Sequence, residues 1–359
     1  MKKRLKSLLL GPLGRPLSTL AGGGATCLMY HHLAPGPARR EARFQPNLEL
    51  FVAEEEFEKQ IAYLARNHDC LAIGEAVELL KARKLPRRAA IVTFDDGYHD
   101  NLLALPILKR HKVPAAIYIT TGAIARARTF WWDEHEAILG ALGQLELSWQ
   151  GTAHRWELDT QALKERAFQD LNRIFKALPP EGQDEMLLVL RSAAEEAGLP
   201  PPYFDAEAML TWDEVIALDR EPLITIGAHT VDHFVMSQLR YEELQRQIRE
   251  SRVELERRLG HPIQHFAYPF GREEHADLRE YTAVERGGFV SAVTTRPAHW
   301  KRGIDLFELP RLAVDYSDTL EDFRWKLSGF AAALQRREIK RAKRRHKAPL
   351  SSSAAATQA

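Results

Sequence analysis

Apolar residues fall along this chain in two spacings. In one they are continuous and rich in β-branched types, as in Ala89–Phe94 (AAIVTF), which suits a strand covered on both faces. Residues 25–30, 115–120, 223–226, 264–268 and 289–293 read the same way. In the other spacing they recur every three or four positions, as Phe57, Ile61 and Leu64 do within 54–66. That predicts a helix over 54–66, and similar readings place helices over 74–82, 99–111, Tyr241–Leu259 and 275–286. Strand and helix alternate, so the fold class is α/β, with a parallel sheet or barrel wrapped in helices. The alternation breaks between about 125 and 208. That stretch holds Trp131, Trp132, helical segments at 161–177 and 182–197, and the run Pro200-Pro201-Pro202. It reads as a helical insertion on one βα connection, leaning on the barrel rather than forming a domain of its own.

Composition narrows the class. With 359 residues, 45% hydrophobic and 28% charged, the chain has room for one large domain or two ordinary ones. Collagen-like, mucin-like and wholly disordered classes are excluded. No apolar stretch reaches the ~18 residues of a spanning helix. Cys27 and Cys70 are the only cysteines, too few for a disulfide framework or a zinc knuckle, so a metal would have to be held by His and carboxylate.

The net charge of +1 hides an asymmetry. Residues 1–40 carry seven Lys/Arg and no acid, and residues 336–359 carry eight Lys/Arg against Glu338 alone. A basic segment (1–24) and a basic, partly disordered tail (336–359) thus flank an acidic barrel unit (25–335). The head resembles a signal peptide, but Gly11-Pro12 and Arg15-Pro16 interrupt its apolar run at once. It is expected to stay uncleaved, with Leu5, Leu8, Leu9 and Leu13 near one helical side and in peripheral contact with an anionic membrane surface. The expected compartment is therefore the cytoplasm, with membrane association; a secreted or periplasmic location stays open. No nucleic-acid-binding module is recognisable, so no nucleic-acid partner is expected. The oligomeric state does not follow.

Chemistry-bearing residues gather just after the strands. Asp95 and Asp96 follow Ala89–Phe94; adjacent carboxylates there can point apart, one towards a metal and one towards a proton, although Asp-Gly is also a common turn pair. His229 and His233 follow the strand at 223–226. A spacing of four puts both rings on one face if the segment turns helically, and two imidazoles with a carboxylate leave metal positions open. A surface pair beside Thr230 and Asp232 caps is the alternative. His31 and His32 follow the first strand. Tyr268-Pro269-Phe270-Gly271 follows another, and its glycine permits a sharp turn whose exposed amide could meet a developing oxyanion.

Three pieces in this order resemble the polysaccharide deacetylase family, the NodB homology domain of carbohydrate esterase family four. They are Thr93-Phe94-Asp95-Asp96-Gly97, His229-Thr230-Val231-Asp232-His233 and Phe266-Ala267-Tyr268-Pro269-Phe270-Gly271. The resemblance spans about residues 25–315 and implies a distorted (β/α) barrel, usually of fewer than eight strands. It implies Asp95 as catalytic base, Asp96, His229 and His233 as ligands of a divalent metal, in first place Zn²⁺, and the Phe270 N–H as oxyanion donor. Many members carry an Arg where this chain has Ala267; Arg311 is the candidate substitute. The opening Met29-Tyr30-His31-His32 is similar to the subgroup acting on poly-N-acetylglucosamine, which implies His31 as general acid, with His32 as the alternative. His299 has a poor context for the late acid of other members.

The expected function is a metal-dependent hydrolase that removes N-acetyl groups from an N-acetylated sugar or polysaccharide and releases acetate. The expected partner is an N-acetylated glycan or glycolipid, with Tyr98, Trp131 and Trp132 as candidate stacking surfaces. The competing readings are a metal-dependent amidase on a non-sugar amide and a non-catalytic carbohydrate-binding relative.

Overall fold

Twelve strands are described: β1 (Thr26–Tyr30), β2 (His32–Ala34), β3 (Phe51–Ala53), β4 (Asp69–Cys70), β5 (Ala89–Phe94), β6 (Ala115–Ile119), β7 (Gln144–Trp149), β8 (Thr152–Glu157), β9 (Ile224–Ala228), β10 (His265–Ala267), β11 (Ser291–Val293) and β12 (Leu312–Ala313). The helices are α1 (Glu54–Asn67), α2 (Ile73–Lys81), α3 (Ala104–His111), α4 (Thr121–Arg126), α5 (Trp131–Ala141), α6 (Gln161–Ala177), α7 (Pro180–Glu196), α8 (Trp212–Asp219), α9 (Tyr241–Leu259), α10 (Leu278–Arg286) and α11 (Leu320–Leu327). This computed structural model describes residues 24–34, 44–126, 130–203, 205 and 207–328. The basic head up to residue 23 and the tail at 336–359 lie outside the described residues, and so do the membrane-contact and disorder expectations attached to them. No described helix is long and apolar enough to cross a membrane.

The main sheet runs β11-β10-β9-β6-β5-β1-β12, all parallel, with β4 beside β5. Its two ends meet. The segment before β12 bonds back to β11, through Leu309 N–H to Ala292 O at 3.1 Å and Thr294 N–H to Leu309 O at 2.7 Å. The result is the distorted (β/α) barrel expected from the motifs, closed by irregular backbone where a further strand would stand. β1, β5 and β6 are buried at every position, which is why they read as unbroken apolar runs.

The helices follow their amphipathic spacing. α1 buries Phe57, Ile61 and Leu64, the residues that predicted it. The helix expected over 99–111 is split into a 3-10 turn at His99–Leu103 and α3. Pro106 accounts for the late start, since a proline fits only the first turn of an α-helix.

The insertion departs furthest from expectation. Besides the two predicted helices it contains α5 and an antiparallel hairpin, β7–β8. The hairpin is visible in retrospect: QLELSW alternates exposed and buried positions, and Gln150-Gly151 turns with φ of 48° and 75°. Its aromatic and aliphatic side chains form a cluster of their own, which also takes in Tyr98 of the barrel and touches Phe44 and Phe270.

Candidate active site

Parallel register decides what stands at the barrel rim. Tyr30 pairs with Phe94, and Ile119 with Ala228. The residues that follow, His31, Asp95, Thr120 and His229, therefore leave the sheet at one level. Ala267 pairs with Val293, which brings the Tyr268–Gly271 turn to the same end. Such carboxyl ends of parallel strands are where ligands bind in folds of this kind.

Asp96, His229 and His233 converge. All three are buried, and one ligand atom from each lies within 4.8 Å of the others. Asp96 Oδ1 is 3.4 Å from His229 Nε2 and 3.3 Å from His233 Nε2. Two ligands each about 2.0–2.1 Å from a tetrahedral centre stand roughly 3.3–3.4 Å apart, so these separations fit a shared cation. His229 Nδ1 lies 2.7 Å from the Ala267 carbonyl, which can only accept; the proton therefore sits on Nδ1 and leaves a lone pair on Nε2. Asp96 Oδ1 has no hydrogen-bond partner although it is buried. A buried carboxylate oxygen left in that state is costly unless something cationic meets it.

The loop, not a helix, brings the two imidazoles together. Residues 229–233 are irregular, and Thr230 and His233 take φ of 65° and 58°. Asp96 and Phe270 also have positive φ, at 77° and 59°; these four are among seven such non-glycine residues described. That concentration of left-handed backbone at one rim is the pattern of a site whose geometry is enforced by its surroundings. The left-handed turn at Asp96 is also what sends its carboxylate away from that of Asp95.

Asp95 meets Arg311. Arg311 donates from Nη1 to Asp95 Oδ1 and from Nη2 to Oδ2, both at 2.6 Å, and both residues are buried. Its remaining donors reach Thr93 Oγ1 at 3.0 Å and the Thr294 carbonyl at 3.1 Å. The candidate cation named from the sequence thus holds Asp95 by a two-pronged contact. Burial alone would push the Asp95 carboxyl up, but the Arg311 charge and then the His229 ring outweigh it and hold the group below its ordinary value.

The two histidines after β1 part company. His32 Nδ1 lies 2.7 Å from Asp100 Oδ2, and its ring is stacked between Phe51 and Tyr98. Those contacts tie the His32 ring to Asp100, Phe51 and Tyr98 rather than to Asp96, His229 or His233. His31 is only half-buried and feels both Asp96 and Asp95. Burial pulls its pKa down, and those two carboxylates resist. Asn101 Nδ2 fixes the backbone here by donating to the His31 carbonyl at 2.7 Å.

Phe270 closes the rim. Its N–H donates to no group among the described residues. Gly271 turns at φ 55°, and a Cβ there would come within 2.7 Å of Thr295 N, so the residue must be glycine. Phe130, Trp132 and Phe270 pack around His233 at ring distances of 5.2, 5.0 and 4.8 Å. The insertion therefore supplies a dry wall for the triad.

One expectation changes, and two other residues are accounted for. Tyr98 and Trp132 are buried, and Trp131 stacks on Phe175 in the insertion core, so these rings are not an open sugar platform. Burial of large aromatic surface is what holds the insertion together. His299 is buried with Nδ1 2.8 Å from Thr26 Oγ1, at the opposite end of β1 from the rim. Cys27 is buried, and burial pushes its thiol up to about 12.

Gln247, on α9, escaped the reading of the sequence. Its Oε1 accepts from Val231 N–H at 3.0 Å and Asp232 N–H at 2.8 Å, and its Nε2 donates to Asp232 Oδ2 at 2.6 Å. The available signal was a glutamine set at helical spacing among Leu244, Ile248 and Leu255, the apolar stripe of the helix. Gln247→Leu strips three partners from the loop between the histidines. We expect a stability loss of about 1–3 kcal/mol, read from the urea midpoint; an unchanged midpoint would show the loop is held elsewhere.

The chain belongs to the polysaccharide deacetylase family, whose model matches residues 82–284. Over 152 residues it is 30% identical to the poly-beta-1,6-N-acetyl-D-glucosamine N-deacetylase of Staphylococcus aureus, covering 38% of this chain and 47% of that protein. The match thus spans about half the length of these curated relatives. It is 22% identical over 290 residues to the putative polysaccharide deacetylase YxkH of Bacillus subtilis, covering 80% of this chain and 70% of that one. Among solved structures it is similar in fold to the Streptococcus pyogenes deacetylase PplD, with a TM-score of 0.55, 17% identity, and coverage of 85% of this chain and 98% of that one. Ammonifex degensii IcaB gives a TM-score of 0.54 at 19% identity, covering 87% and 98%.

Proposed function

We propose that this protein is a metal-dependent hydrolase that removes N-acetyl groups from an N-acetylated polysaccharide and releases acetate. The observation that carries the reading is the convergence of Asp96, His229 and His233 beside an Asp95 held by Arg311. Family membership and the similarity to a poly-N-acetylglucosamine deacetylase support the substrate class.

Two imidazoles and one carboxylate suit Zn²⁺. When bound, a divalent cation supplies Lewis-acid polarisation of the amide carbonyl and acidifies water. The remaining work falls to side chains and one amide. Asp95, kept ionised by Arg311, takes the proton of the attacking water. The Phe270 N–H donates to the oxygen that becomes negative as the carbonyl carbon turns tetrahedral. His31 gives a proton to the departing sugar nitrogen; its lowered pKa makes it a readier donor once charged. The C–N bond breaks, leaving acetate and a free amino sugar.

The test is acetate release from N-acetylglucosamine oligomers by zinc-loaded protein, with mass spectrometry following the loss of acetyl units. Release from small amides but not from the oligomers would favour the amidase instead. In Asp96→Ala one ligand is gone, and cation affinity, measured by competition with a chelating dye, is expected to fall by more than the roughly 10–100-fold that loss of a supporting group costs. Unchanged affinity would remove Asp96 from the cation site.

A further inference from the structure

The amide assigned to the oxyanion belongs to a turn that the backbone does not adopt freely. Gly271 N–H donates to the Pro269 carbonyl at 2.6 Å, across a single residue, and Phe270 between them has φ 59°. A three-residue turn closed over a left-handed centre is the rare, strained form of the γ-turn, and a bulky side chain is an outlier there. The strain has a chemical consequence. The Pro269 carbonyl and the Phe270 N–H are two ends of one peptide group. A hydrogen bond accepted at the carbonyl polarises that group and makes its N–H a stronger donor.

Strained backbone of this kind persists only where the surroundings hold it. The Phe270 ring packs on His233 and Trp132 towards the triad. Towards Lys176 and His275 the packing is incomplete, because both line a polar cavity of about 730 Å³ beside α6, with Gln45, Gln169 and Asn172. The main chain supplies the restraint. Thr295, two positions past β11, donates from Oγ1 to the Phe270 carbonyl at 2.5 Å and from its N–H to the Gly271 carbonyl at 3.0 Å. One residue thus binds the two carbonyls that follow the oxyanion amide. Its neighbour Thr294 accepts Arg311 Nε at 3.1 Å, and Arg311 holds Asp95. Thr294 N–H in turn donates to the Leu309 carbonyl at 2.7 Å, which anchors the segment to the barrel. Adjacent residues therefore set the base and the oxyanion donor relative to each other.

We infer that Thr295 is a positioning residue: its hydroxyl locks the strained turn at Phe270 and so aims the amide at the developing oxyanion. What the amide meets rests on the deacetylase reading; the lock itself can be measured without turnover. Thr295 is half-buried, and Thr295→Ala and Thr295→Ser differ from one another by a single hydroxyl. Both are compared with the parent as zinc-loaded full chains whose urea midpoints confirm folding. On N-acetylglucosamine oligomers, kcat is expected to fall about tenfold in Thr295→Ala, part of the roughly 10²–10³-fold that loss of a whole oxyanion donor costs, with KM within about twofold of the parent. Thr295→Ser keeps the donor and is expected to hold kcat within about twofold. Exchange of the Gly271 amide, followed by NMR on glycine-labelled protein, is expected to quicken at least about fivefold in Thr295→Ala and to stay as in the parent in Thr295→Ser. Equal exchange in all three proteins overturns the lock. Faster exchange with kcat unchanged overturns the positioning role, as does a loss confined to KM or a fall in Thr295→Ser as deep as in Thr295→Ala. A parent chain that releases no acetate sinks the deacetylase reading, and exchange then still decides whether Thr295 locks the turn.

Discussion

Asp95→Asn is expected to lose turnover by about 10²–10⁴-fold while still binding a divalent cation as the parent does. An amide has the shape of the carboxyl but cannot take a proton at neutral pH. Asp96, His229 and His233 are untouched by the change, so cation affinity and turnover should separate cleanly. The measurement pairs steady-state acetate release with a metal titration on the same sample. Circular dichroism must confirm folding, because Arg311 keeps its buried charge with a weaker partner. Full activity in the variant would mean that another group accepts the proton. Loss of the cation together with turnover would mean that Asp95 belongs to the ligand set.

Arg311→Met should produce the largest change in stability. Removing one partner of a buried ion pair typically costs about 3–5 kcal/mol, because the other charge stays buried without compensation. The pair here is inaccessible on both sides and bidentate. The pH dependence has a definite sign. In the parent, Asp95 is held below its ordinary value. Its contribution to stability is thus fully present above the ordinary carboxylate range and is lost as pH falls through the lowered value. Without Arg311, burial dominates and the carboxyl rises. The variant's deficit should then be largest at neutral pH and should shrink on acidification, as Asp95 takes up a proton and its charge disappears. Urea denaturation of both proteins at pH 7 and at mildly acidic pH reads this directly. A deficit of equal size at both would contradict the ionic account. The acid limb of activity should also move to higher pH in the variant, since Asp95 must be ionised to accept a proton.

Much of this site could be read from local sequence because each part follows a recognisable strand. Asp95-Asp96 comes straight after AAIVTF, and the strand is buried on both faces as its composition demands. The contacts of other parts were hidden because their partners are far away along the chain. Arg311 and Asp95 are separated by 216 positions, and only the pairing of β12 beside β1, itself beside β5, brings them together. His31 and His32 are chemically identical in the sequence; Asp100, Phe51 and Tyr98 claim one of them and leave the other at the rim. The tryptophans of the insertion failed as a sugar platform for a related reason. An aromatic side chain says that it will be covered, but not whether protein or ligand covers it.

By itself, the sequence settled the alternation of strands and helices, the barrel class, and which residue types would stand at the strand ends. Those are local matters, set by the period of apolar positions and by the chemistry of short motifs. The tertiary structure alone decided which of those groups face one another. It made 229–233 a left-handed loop where the four-residue spacing also allowed a helical turn, placed a guanidinium against Asp95, and left a polar cavity beside α6. Each depends on which backbone happens to lie opposite, and pairing across a closed parallel sheet is fixed only when the whole ring is assembled.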